Sequence, residues 1–119
     1  MVIKIQVRGK LSPDKLKDVV NEISDSIANI DLIITRSIEY PKYDISMSMV
    51  YDTSDPESIK TLNTFLKVAQ MVEEIDYEIV KNFLSDNDEE IKKKLVSYEE
   101  LYRDIINIVN NEKNRAIGY

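Results

Sequence analysis

The stretch LIITRSIEYPKYDISMSMVY, residues 32–51, decides the fold. Two runs in which apolar and polar residues alternate, 32–40 and 43–51, flank the dipeptide Pro41-Lys42. Alternation with a period of two is typical of strands with one buried face, and proline favours a short turn. The stretch therefore predicts two antiparallel strands in a sheet with one buried and one solvent-facing side.

Arg36 is the unusual residue of this hairpin, because strict alternation places it with Leu32, Ile34 and Ile38 on the buried face. An unpaired guanidinium is costly to bury, so the side chain needs a carboxylate, a group of carbonyls or a route to solvent. One interpretation is a sheet margin or bulge where Arg36 reaches solvent. The other interpretation is an arginine that binds a partner.

Upstream of the hairpin, residues 2–8 alternate in the same way and predict the first strand of the chain, which ends at Gly9. A helix is predicted to follow, because Ser12 can cap its free N–H groups and Pro13 and Asp14 suit its first turn. A right-handed crossover through this helix should place the first and third strands side by side or nearly so.

Downstream, Ser54-Asp55-Pro56-Glu57 has the same pattern and predicts a second helix. Its apolar residues cover too wide an arc for a helix that packs on one surface, so a second contact is expected. Residues 85–88 interrupt the pattern, and Asp88 begins a predicted last helix with apolar residues at heptad spacing. These heptad residues are Ile91, Leu95, Tyr98, Tyr102, Ile105 and Val109. They are predicted to pack on the second helix, within the chain or across a dimer.

The sequence thus predicts an α+β fold of order β-α-β-β-α-α, with a three-stranded antiparallel-type sheet, helices on one face and an extra C-terminal helix. This arrangement is half of a ferredoxin-like motif, without its last strand. We expect a core domain over residues 1–84, a C-terminal helix over 85–112 on the core or on a partner, and a flexible tail over 113–119. Because proteins rarely leave a sheet edge bare, a homodimer through the edge, the helices or both is also predicted.

Composition excludes several kinds of active site. The 119 residues include no histidine, cysteine or tryptophan. Most zinc and copper sites, cysteine nucleophiles and Ser–His relays are therefore excluded. We predict a protein without enzymatic activity, cofactor or metal, and an enzyme with a carboxylate or tyrosine site remains the alternative.

The charge balance also limits the partners. A formal net charge of −6 and a pI near 4.7 oppose direct nucleic-acid binding, which needs a basic surface. No apolar run is long enough to span a membrane, and residues 1–5 alternate rather than form the apolar part of a signal peptide. The expected compartment is the cytoplasm.

Two acidic clusters have structural explanations. Residues 86–90 could hold a divalent cation, but an EF-hand loop that began at Asp86 would need glycine and glutamate where Ile91 and Ser97 stand. A solvated helix start explains this cluster instead. The acidic residues within 73–78 are predicted to form a solvated helix face, and a docking patch is their functional alternative.

Partner binding is predicted for Arg36 and for part of the heptad set. It is also predicted for residues of the second helix that face away from its apolar side, which are polar except for Met71. These residues are Arg36, Lys60, Asn63, Thr64, Lys67, Met71, Leu95, Tyr98 and Tyr102.

The run IKTLNTFL, residues 59–66, with the aliphatic residues that follow it up to Ile75, resembles the last helix of a known family. That family is the small dimerising subunit of the KEOPS complex, which makes threonylcarbamoyl-adenosine on tRNA. It also reads strand, helix, strand, strand, helix, and the resemblance covers about residues 2–76. Lys60 stands where the family usually has arginine, the first helix lacks its typical Pro-Asp close, and the helix predicted from Asp88 has no counterpart.

The resemblance implies a non-catalytic protein whose sheet continues across a dimer and whose helices dock a catalytic subunit. The predicted function is therefore a protein-binding assembly subunit of the KEOPS type or a similar one. The alternative is a small acidic inhibitor or immunity-type protein from a virus, plasmid or other mobile element, which would block a basic site.

Overall fold

The structure is a computed structural model that describes residues 2–24, 29–81 and 91–117. Its elements, in chain order, are β1 (Val2–Leu11), α1 (Pro13–Ser24), β2 (Ile30–Arg36), β3 (Tyr43–Asp52), α2 (Pro56–Ala69), β4 (Glu73–Lys81), β5 (Ile91–Leu95) and α3 (Tyr98–Ile117). The α+β class is as predicted. The helix start at residues 54–57 is confirmed, because the Asp55 carboxylate accepts a bond of 3.0 Å from the Glu57 N–H and Pro56 opens the helix.

The described strands form one sheet in the order β2-β3-β1-β4-β5, and every neighbouring pair is antiparallel. β1 lies between β3 and β4, with Ile5 opposite both Met49 and Ile79. The first and third strands are therefore neighbours, as predicted. β2 and β5 form the two edges.

The prediction of a three-stranded sheet is wrong, because the second helix ends at Ala69 and the chain returns as β4. In β4, Ile75, Tyr77 and Ile79 are buried, and the residues between them are half-buried. The chain leaves α2 through turn bonds, among them Met71 N–H to the Val68 carbonyl at 3.0 Å. The acidic residues within 73–78 therefore lie on a strand and not on a helix.

The prediction of one helix over residues 85–112 is also wrong. Ile91–Leu95 is β5, α3 begins only at Tyr98, and α3 continues to Ile117, so residues 113–117 are helical rather than part of a tail. The predicted heptad set splits between a strand and a helix. The acidic cluster at 86–90 lies outside the described residues, and the prediction about it stays untested.

The three helices cover one face of the sheet and share one apolar core with it. Ile3, Ile5 and Val7 of β1 are fully buried, and Leu101 and Ile105 of α3 belong to the same cluster. The Tyr77 hydroxyl of β4 donates a hydrogen bond to the Asp104 carboxylate of α3. Burial, followed by the hydrogen bond to Asp104, raises the pKa of Tyr77. The C-terminal helix is therefore packed on the core of its own chain.

Candidate functional site

The turn between β2 and β3, residues 37–42, is held by several hydrogen bonds. The Ser37 N–H donates to the Lys42 carbonyl at 3.2 Å, and the Lys42 N–H donates to the Glu39 carbonyl at 2.9 Å. The buried Ser37 hydroxyl accepts bonds from the Glu39 N–H at 3.0 Å and from the Lys10 ammonium of β1 at 3.1 Å. We call residues 37–42 the hairpin tip, and these bonds fix its shape and fasten it to the central strand.

The hairpin tip presents two large apolar side chains to solvent. Ile38 is 99% exposed and Tyr40 is 91% exposed. The sequence pattern placed both residues in a strand that runs to residue 40, whereas β2 ends at Arg36. Sequence reasoning therefore missed these two residues as candidates for partner binding.

The face of the sheet opposite the helices carries two neighbouring stripes of opposite charge. Lys4, Arg8 and Lys10 lie on β1 and form the basic stripe, and the acidic stripe consists of Glu74, Asp76 and Glu78 on the adjacent strand β4. Arg8 is directly opposite Asp76, and Gln6 is opposite Glu78. The two stripes therefore lie side by side along the middle of the uncovered face.

Within this face, Lys10 and Arg8 differ in their pairing. The Lys10 ammonium lies 2.6 Å from the Asp44 carboxylate of β3, and this hydrogen bond raises the pKa of Lys10 and lowers that of Asp44. Arg8 has no carboxylate within 4.0 Å among the described residues. Its exposed guanidinium can therefore bind an acidic group from outside the chain.

A hollow of about 330 Å³ opens on the same face, between Arg8 and Lys10 on one side and Ile33 and Thr35 on the other. A single row of residues crosses the sheet here, in the order Ile33, Ser46, Arg8, Asp76, Leu95. Both ends of the row are exposed apolar residues, because Ile33 is 65% exposed and Leu95 is 75% exposed. The row therefore has charges at its centre and apolar groups at its ends.

The structure separates the nine residues that the sequence predicts for partner binding. Arg36 ends β2 and is exposed, which agrees with the sheet-margin interpretation. Leu95 ends β5 at the other edge of the sheet. The rings of Tyr98 and Tyr102 are 6.0 Å apart on α3, with Tyr98 half-buried and Tyr102 44% exposed.

The remaining five predicted residues belong to α2 and the turn after it. Lys60 and Asn63 are exposed, Thr64 is half-buried, and the Lys60 ammonium lies 3.6 Å from the Glu57 carboxylate. Lys67 and Met71 line a separate cleft against α1. The predicted residues thus do not form one site, and their role in binding stays a prediction.

Searches of family models, curated proteins and solved structures give no match to this chain. Within residues 2–24, 29–81 and 91–117, no three acidic side chains lie together as a group that could hold a metal ion. Among the helices that the structure describes, none is long and apolar enough to cross a membrane.

Proposed function

We propose that the protein is a non-catalytic, homodimeric protein-binding subunit of a larger cytoplasmic assembly. The observation that carries the proposal is the hairpin tip, where an internally hydrogen-bonded turn exposes Ile38 and Tyr40 almost completely. Burying one such apolar side chain in a partner is worth about 1.5–3 kcal/mol. Because the turn is already ordered, binding loses less conformational entropy than it would with a flexible loop. Tyrosine is also among the residues that most often dominate binding energy.

The resemblance to the small dimerising subunit of the KEOPS complex supports a more specific form of this proposal. The first five elements follow the order strand, helix, strand, strand, helix, which is also the order of that family. β4, β5 and α3 come after these five elements, so the resemblance is limited to the first five elements. By this resemblance, the partner would be the catalytic subunit of a tRNA threonylcarbamoyl-adenosine complex.

The alternative of an acidic inhibitor depends on a surface that would attract a basic site. The acidic stripe on β4 is such a surface, but the basic stripe lies beside it on β1 and partly cancels its field. An apolar hairpin tip is also a poor match for a basic site. We therefore favour the assembly subunit.

The experiment replaces both tip residues, as Ile38→Ser with Tyr40→Ser. A comparison variant replaces two exposed apolar residues of the helices, Val20→Ser with Ile59→Ser, because the resemblance implies that the helices dock the catalytic subunit. Each protein is co-expressed with the catalytic subunit of the tRNA threonylcarbamoyl-adenosine complex from the same genome. The amount of catalytic subunit that co-purifies is measured, together with the thermal midpoint, Tm, of each variant. We expect the tip variant to lose at least about tenfold in recovered partner while its Tm stays near that of the parent, because the replaced side chains are exposed.

A photo-crosslinking amino acid at position 40 tests the broader proposal in the native host. A single defined adduct with another protein is expected, and its partner is identified by mass spectrometry. An adduct with a protein outside the tRNA-modification complex would contradict the KEOPS form of the proposal. Equal crosslinking from position 40 and from control position 59 would contradict the role of the hairpin tip.

A further inference from the structure

We infer that the uncovered sheet face docks a second copy of this chain, with the basic stripe of each copy opposite the acidic stripe of the other. This inference rests on the homodimer of the proposed function, and it places the interface on the uncovered sheet face instead of the sheet edge or the helices that the sequence predicts. It does not depend on the hairpin tip, which lies beyond the end of β2.

The two stripes have the symmetry that a dimer requires. In a twofold dimer, if residue i contacts residue j, then j contacts i. A twofold axis that runs along the sheet between β1 and β4 exchanges these two strands. It places Arg8 of one copy opposite Asp76 of the other, and the reverse contact follows automatically. Two adjacent stripes of opposite charge are therefore complementary to a second copy of themselves.

The hollow and the exposed leucine fit the same arrangement. The axis that exchanges β1 and β4 also places β5 opposite β3, so Leu95 of one copy faces Ser46 of the other. Ser46 lines the hollow, together with Arg8 and the exposed Ile33. Leu95 of the second copy would thus enter a hollow that already has an apolar wall, and this contact occurs twice in the dimer.

The size of the surface is adequate for a reversible dimer. Four strands of each copy, β3, β1, β4 and β5, would overlap, with neighbouring strands about 4.8 Å apart and residues rising about 3.3 Å each. β5 has only five residues, so these spacings give roughly 900 Å² of total buried area, a size typical of weak and transient interfaces. Because charged groups lose hydration on docking, we expect weak association that salt weakens further.

The test measures self-association by sedimentation velocity over a concentration series that reaches about 100 µM. The parent is expected to reach twice the 13.8 kDa chain mass in about 50 mM salt and to dissociate at least tenfold more readily in about 500 mM salt. Arg8→Glu and Asp76→Arg each place like charges opposite one another twice in the dimer. Each variant alone should therefore associate at least about tenfold more weakly than the parent at low salt.

Mixing the two variants distinguishes an interface from an effect inside one chain. In the mixed dimer, the glutamate introduced at position 8 of one copy faces the arginine introduced at position 76 of the other, and the unchanged Asp76 faces the unchanged Arg8. Association should therefore return on mixing, although each variant alone stays largely monomeric. Lys17→Glu, a charge reversal of the same size at an exposed position of α1, is the matched control and should associate like the parent. Far-UV circular dichroism and Tm confirm that each variant is folded.

Several results would overturn the inference. The first is a parent that stays monomeric at low salt. The second is a mixture that stays as weakly associated as the single variants, and the third is a Lys17→Glu protein that is weakened as much as Arg8→Glu. Dissociation of the dimer by the double tip variant would also overturn it, because that result would place the interface at the hairpin. A tip variant that loses its partner but keeps the dimer would support both proposals separately.

Discussion

Gly9→Ala should destabilise the protein, because two strands approach each other closely at this position. The β1–β4 register shifts between Arg8 and Lys10, and Gly9 lies at that irregularity. A Cβ atom added at Gly9 would lie 2.6 Å from the Glu73 carbonyl oxygen and would also overlap the Val72 side chain. The carbonyl belongs to the backbone of β4, so it cannot rotate away as a side chain can.

The size of the change in the free energy of unfolding depends on two opposing effects. Forcing extra volume into a packed site costs about 1–3 kcal/mol. Alanine also reduces the conformational entropy of the unfolded chain, which offsets about 0.4–1 kcal/mol of that cost. We therefore expect a net loss of about 1–2 kcal/mol in the free energy of unfolding, and a fall in Tm of roughly 3–10 °C for a domain of this size.

Urea and thermal unfolding followed by circular dichroism measure this change. The double variant Gly9→Ala with Val72→Ala separates the two contacts, because it removes the overlap with the Val72 side chain and keeps the overlap with the Glu73 carbonyl. We expect the double variant to remain less stable than Val72→Ala alone. A Gly9→Ala protein as stable as the parent, or more stable, would show that β1 and β4 do not approach each other in this way.

Three further predictions concern α3 and the acidic cluster. Tyr77→Phe removes the bond to the half-buried Asp104 and should cost about 1 kcal/mol in urea unfolding. The pKa of Tyr77 is raised above its usual 10.0, so the contribution of this tyrosine to the free energy of unfolding is complete below pH 10 and is lost as the pH rises further. The Phe variant should therefore lose less stability at alkaline pH than the parent. Leu101→Asp should cost several kcal/mol because Leu101 is fully buried, whereas Leu95→Asp should change the free energy of unfolding by less than about 0.5 kcal/mol. EDTA should leave the Tm unchanged, and a shift of several degrees that calcium or magnesium reverses would contradict our interpretation of residues 86–90.

The elements that the sequence predicts correctly are those with local signals. Residues 2–8 alternate without interruption, and they form part of β1. The cap at Asp55 and the proline that follows it define the start of α2 with neighbouring residues alone. Such signals need no knowledge of the rest of the chain.

β4 was missed because the apolar residues in this strand and just before it fit two periods at once. Val68, Val72, Ile75 and Ile79 recur at helical spacing, while Ile75, Tyr77 and Ile79 alternate with acidic residues as in a strand. Neither glycine nor proline marks the end of α2. Gln70, the residue that follows α2, keeps ordinary helical angles of φ −62° and ψ −25°, so the end of the helix has no local signal in the sequence.

The apparent heptad arose in a similar way. Ile91 and Leu95 are spaced like consecutive turns of a helix, yet they are the two ends of a five-residue strand. The residue that α3 buries most completely at its start is Leu101, which lies outside the heptad set. Short segments take their conformation from tertiary contacts, and pairing with β4 decides this one.

The candidate surfaces were only half visible in the sequence. The polar residues of β1 could be assigned to one face by alternation alone. The acidic stripe could not be placed next to them until β4 was recognised as a strand and paired with β1, which is a contact between distant parts of the chain. The hairpin tip was hidden because its exposed apolar residues continue the alternation of β2.

Lys10 connects the two surfaces that we propose. Its ammonium belongs to the basic stripe and binds Asp44 on the uncovered face at 2.6 Å. The same ammonium donates to the Ser37 hydroxyl, which in turn accepts the Glu39 N–H and fixes the hairpin tip. A sheet face that docks a second copy and a tip that docks another protein would therefore share one charged anchor. Because this anchor is bonded at both ends, dimerisation over Lys10 would not require the tip to move, and each copy in the dimer would still present Ile38 and Tyr40 beyond the edge of the sheet.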